Sequence, residues 1–153
     1  MRTNRPGFTL IEILTVVVIG AVLTSVAVGA FARQTARQNA ENARNALVHL
    51  GLRARSSAIE RGERIILTLD PAEDVANIRT DAGDVLETKR FREEYGVDVM
   101  TGTDEVVTVC FTPRGFAAQG ACTNVDKDLT ILFRAGNHTK SARVRPLGQV
   151  EAL

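Results

Sequence analysis

The sequence predicts an α+β chain. One long N-terminal helix, apolar over its first half and amphipathic over its second, packs on a small, mostly antiparallel β-sheet domain. Three observations predict it. From Phe8 to Ala30 only Glu12 is charged. From Ala36 to Ala54 small and apolar residues recur at alternating steps of four and three. Beyond Glu63 the period changes to short β-rich runs separated by Gly, Pro, Asn and Asp.

The apolar run comes first in the chain. At 1.5 Å per residue, a helix from Phe8 to Ala30 measures about 34 Å, enough to cross roughly 30 Å of hydrocarbon. A carboxylate such as Glu12 is costly there and calls for a partner. Arg2 and Arg5 precede the span, which places the N-terminus in the cytoplasm and the C-terminal body outside; Arg33 and Arg37 beyond the span weaken this without reversing it. An ordinary secretory signal is a poorer reading. The run is longer than the usual 7–15 apolar residues, and Ala27-Val28-Gly29 is a weak cleavage site.

The helix is expected to continue past the membrane. Ala36, Ala40, Ala43, Leu47, Leu50 and Ala54 form one stripe, with alanines first and leucines nearer the body. Gly62 is the expected stop. Gly20, Gly29 and Gly51 argue against a perfectly regular helix, and the first two suit close packing within the bilayer.

Expected strands follow at 64–69, 85–91, 96–99, 105–111 and 129–133. A terminal pair is expected at 142–145 and 149–151. Turns are expected at 81–84, 112–115 and 136–137. About 90 residues suffice for one modest core. The expected divisions are 1–7, 8–30, 31–61 and 62–153: a basic leader, a membrane segment, the external continuation of the helix, and the β-rich domain.

The run Arg5-Pro6-Gly7-Phe8-Thr9-Leu10-Ile11-Glu12 resembles the processing signal of type IV pilins and type II secretion pseudopilins. The resemblance implies cleavage after Gly7 and methylation of the new terminus at Phe8, both by a prepilin peptidase/methyltransferase. It also implies a role for Glu12 in subunit assembly. Cleavage removes Arg2 and Arg5 and takes the formal charge from +1 to −1. No global charge excess then points to nucleic acid.

Further along, Phe111-Thr112-Pro113-Arg114-Gly115 is similar to the Phe-x-Pro-x-Gly signature of H-type pseudopilins and FimT-like minor pilins, as are the Thr130–Phe133 strand and the closing Val144–Val150 segment. The family's frequent Gly-Arg ending is missing; Gln149 follows Gly148. The implied role is a non-enzymatic minor pseudopilin that initiates or caps a type II secretion pseudopilus, with a minor type IV pilin acting in pilus assembly or DNA uptake as the alternative. The implied partners are other major and minor pilins or pseudopilins, the inner-membrane assembly platform and the lipid bilayer. The implied location is the bacterial inner membrane, single-pass, with a periplasmic domain.

Cys110 and Cys122 would face an oxidising compartment and are expected to form a disulfide, with a buried free thiol as the alternative for Cys110. A loop of this size gains about 3 kcal/mol from the restricted unfolded chain. Catalytic chemistry finds little support. His49 reads as a surface residue and His138 as a solvated turn residue. Asp70, Glu73 and Asp74 lack calcium-loop spacing and read as a solvated loop. No cofactor or metal is expected. Arg134, Lys140, Arg143 and Arg145 gather near the end and are candidate DNA contacts under the alternative reading, diluted by Asp126, Asp128 and Glu151.

Overall fold

The computed structural model describes residues 10–102, 105–118, 120 and 122–153, and the backbone alone at 26–28. Helix α1 (Leu10–Arg61) is followed by β1 (Ile65–Asp70), β2 (Val75–Thr80), β3 (Val85–Arg90), the short α2 (Phe91–Tyr95), β4 (Asp98–Thr101), β5 (Val107–Phe111), β6 (Leu129–Ala135), β7 (His138–Val144) and β8 (Val150–Ala152). The chain divides into two compact units, one up to Thr35 and one from Ala36 to Leu153.

In the first unit α1 is a helix from Leu10 onward whose described large apolar side chains are exposed, Leu14 at 54 % and Val17 at 62 % among them. This part of α1 is long and apolar enough to cross a membrane. Its hydroxyl residues bond to their own helix. Thr15 donates to the Ile11 carbonyl, Thr24 to that of Gly20 and Ser25 to that of Val22, each at 2.8 Å. In hydrocarbon such back-bonding removes the cost of an unsatisfied hydroxyl.

In the second unit the same helix has a buried face. Ala40, Ala43, Leu47, Leu50 and Ala54 are buried, Ala36 is half-buried, and Ala58 extends the stripe by a turn. The helix closes where the glycine implied, with the Gly62 amide donating to the Ala58 carbonyl at 3.1 Å. Gly51 does not disturb it. An added Cβ there would lie 2.7 Å from Val150 Cγ2, so the glycine lets β8 approach the helix.

The strands form two antiparallel four-stranded sheets, ordered β3-β2-β1-β5 and β4-β6-β7-β8. Phe91, from the start of α2, meets Phe133 of β6 edge-on at 5.4 Å between ring centres. Both rings are fully buried in one core with Leu47, Leu50, Ile65 and Ile131.

Two elements depart from the sequence expectation. β2 lies between β1 and β3, in a stretch where no strand was expected. Its inward positions are Ala76, Ile78 and Thr80, so a single large apolar residue carries the alternation. Phe91, expected to end the strand at 85–91, instead begins one helical turn over 91–95 that carries its ring into the core.

Asp74 also departs from expectation. It was read within a solvated loop, yet it is 2 % exposed at a φ of 54°. Its carboxylate accepts from the Val99 amide at 2.6 Å and from Arg92 Nε at 2.7 Å, and its carbonyl accepts from the Phe91 amide at 2.8 Å. One side chain thereby links the β1–β2 turn, α2 and β4. The hydrogen bond that Arg92 donates to Asp74, then the charges of Asp74 and Asp98, raise the Arg92 pKa. Asp70, at the end of β1, accepts from the Ala72 amide at 2.9 Å in the turn that follows.

Candidate assembly and surface sites

Gly7 and Phe8, the expected cleavage and methylation residues, lie outside the described residues. Glu12 lies in the first described turn of α1, on its exposed apolar portion.

The turn after β5 sits on the helix. Thr112 N–H donates to the Phe116 carbonyl at 2.8 Å, and Gly115 N–H donates to the Thr112 carbonyl at 2.8 Å. Gly115 has a φ of 77°, and a Cβ there would lie 2.8 Å from Ile59 Cδ1. The backbone angle favours glycine, and its missing side chain leaves room for Ile59. The signature-like residues thus seat the turn against α1 and leave Phe116 58 % exposed.

Cys110, fully buried, is bonded to Cys122 with Cα atoms 5.9 Å apart. The bond belongs to a larger clip on β5. Ala118 N–H donates to the Cys110 carbonyl at 2.7 Å, and Cys110 N–H donates to Thr123 Oγ1 at 3.1 Å. Asn124 exchanges bonds with Val106 and Thr108, its Oδ1 accepting from the Thr108 amide at 2.7 Å. This returning segment satisfies backbone groups on the edge of the first sheet that β1 does not cover.

The basic residues near the end divide between two faces. Thr130 pairs with Arg143, Leu132 with Ser141 and Arg134 with Thr139, all on the outer face of the second sheet. Lys140 pairs with the buried Phe133 on the opposite face and reaches Glu41 of α1 at 4.0 Å. Each of the three arginines faces a carboxylate: Arg134 with Asp98 at 3.6 Å, Arg143 with Asp128 at 3.9 Å, and Arg145 with Glu151 at 3.0 Å. His49 is exposed on α1, as expected, whereas His138 is half-buried at the start of β7.

A long N-terminal helix packed on an antiparallel β domain, with an apolar first unit, defines the pilin-like class of fold. Two crystal structures of the type IV minor pilin FimU of Pseudomonas aeruginosa (strain PAO1) share it. One aligns with a TM-score of 0.58 at 12% identity, covering 76% of this chain and 90% of that one. The other, in a second crystal form, gives a TM-score of 0.54 at 12% identity, covering 74% and 91%. At that identity the likeness is one of fold. Residues 2–28 match the family described as the prokaryotic N-terminal methylation motif. No curated protein sequence matches the chain.

Proposed function

We propose that the chain is a non-enzymatic minor subunit of a type IV pilin-like filament, processed at its N-terminus and held in the inner membrane before assembly. One observation carries this reading: a methylation motif over residues 2–28 precedes a β domain with the fold of a minor pilin. The sequence alone leaned toward a type II secretion pseudopilin. The likeness to FimU, itself a type IV minor pilin, favours the minor pilin, and the pseudopilus becomes the second reading.

On this proposal residues 1–7 form a leader that prepilin peptidase cuts after Gly7, and Phe8 is methylated. Residues 8–30 cross the membrane once, 31–61 continue the helix into the periplasm, and 62–153 form the periplasmic domain. Glu12 meets the methylated amino group of a neighbouring Phe8, where two opposite charges offset each other's cost in hydrocarbon. The other partners are further pilins and the inner-membrane assembly platform. DNA belongs to this reading only as an alternative partner. Arg134 and Arg143 share an outer face, but the carboxylate beside each of them, and beside Arg145, lowers the potential available to a phosphate backbone.

The test is fractionation of cells carrying Glu12→Ala. The variant is expected to be cleaved as usual and to accumulate in the membrane, with little in the sheared filament fraction. Incorporation equal to the unaltered chain would contradict the pairing. Loss of pili without loss of protein export, on deleting the chain, separates the first reading from the second.

A further inference from the structure

The two ends of β5 carry surfaces of opposite character. At its Phe111 end, the turn seated on α1 exposes Phe116, and the neighbouring surface exposes Leu147, Leu52 and Ile59, at 61 %, 55 % and 53 %. Leu52, Arg55 and Gly148 line one shallow groove of about 240 Å³ there. The groove itself carries Arg55 and Glu151, the latter held by Arg145 at 3.0 Å, and Arg114 is exposed on the neighbouring turn, so the free charges of this surface are Arg55 and Arg114.

At the Val107 end a second groove of about 320 Å³ is lined by the buried Val107 and Val125 and by the exposed Val106. Its lining also carries Glu105, Asp126 and Asp128, the last beside Arg143 at 3.9 Å, with Lys127 as the one cation among its described lining residues. Four residues of extended strand separate the ends, about 13 Å.

We propose that the apolar, basic surface around Phe116 and Arg55 docks into the acidic groove of a second copy of this chain. The occupant follows from complementarity. Each surface has an apolar centre, and the two rims carry opposite charge, which fixes register and disfavours like-with-like docking. Because the two surfaces differ, the contact is heterologous: one copy seats on the next with no two-fold axis between them. The acidic rim repels phosphate, so neither DNA nor an anionic lipid surface suits that groove. The inference rests on the filament reading for the alignment of neighbouring copies.

The experiment uses the full chain in cells that express two differently tagged copies. One copy carries a photoreactive benzophenone side chain in place of Phe116. After irradiation, membrane and sheared filament fractions are analysed separately and adducts are mapped by mass spectrometry. The expected adduct joins the probe to residues 105–107 or 124–129 of the other tagged copy. Adding Arg55→Glu to the probe copy should lower its yield about fivefold, and Asp126→Arg in the other copy should restore it. No adduct between copies in either fraction, an adduct elsewhere on the second copy, one formed only with a different protein, or a yield unmoved by the charge swap would each overturn the inference. An adduct present in membranes from a chain missing from sheared filaments would count against the filament reading alone.

Discussion

The two parts of α1 use the same secondary structure for different solvents. Before Thr35 the helix carries Leu, Ile and Val on all sides, they are exposed, and its hydroxyls bond back to its own carbonyls. After Ala36 one stripe of alanine and leucine is buried and the remaining faces carry Arg, Glu, Gln and Asn. The difference shows what covers each part. The second has its own β domain; the first is exposed, and the proposed role covers it with lipid or neighbouring subunits. The small residues of the stripe, together with Gly51 against Val150, set how closely that domain approaches.

Paired truncations offer the widest separation between the two. Leu47→Ala removes a side chain that is 1 % exposed and should cost about 2–5 kcal/mol, while Leu14→Ala removes one that is 54 % exposed and should leave unfolding of the β domain unchanged. Denaturant unfolding of the full chain in detergent reads both. Equal losses would break the comparison.

Removing the disulfide is the next largest change. Cys110→Ala with Cys122→Ala should lower stability by about 3 kcal/mol. Intact-mass analysis of the purified chain before and after reduction should show a gain of two hydrogens. A chain already reduced when taken from the periplasm would remove this contribution.

A smaller effect tests the link between the sheets. Asp74→Ala leaves the Val99 amide without its acceptor and places alanine at a φ of 54°, at a cost of about 2–3 kcal/mol. Asp74→Asn tolerates that backbone and keeps an acceptor, so it should lose less than half as much. Equal losses would make the charge on Arg92, and not the bond to Val99, the main contribution.

Much of this arrangement was legible in the sequence because its signals were strong and local. The apolar run, the four-and-three stripe and the Val- and Ile-rich strands each repeat over several residues. β2 was not, because Ala76 and Thr80 are weak markers and Asn77 and Arg79 face outward. A period-two reading of Ala76, Ile78 and Thr80 was the available signal. Asp74 was missed for a different reason. Its partners lie 18 and 25 residues away, at Arg92 and Val99, and no local pattern reports such a pairing. The basic residues were correctly seen as near one another in sequence, but strand alternation places Lys140 on the opposite face from Arg134 and Arg143.

The proposed role depends most on what happens at the start of the chain. The N-terminal peptide of the protein recovered from the membrane and from sheared filaments, measured by mass spectrometry, tests it directly. The account predicts a terminus at Phe8 carrying one added methyl group in both fractions. An intact Met1 terminus in cells with active prepilin peptidase would contradict it.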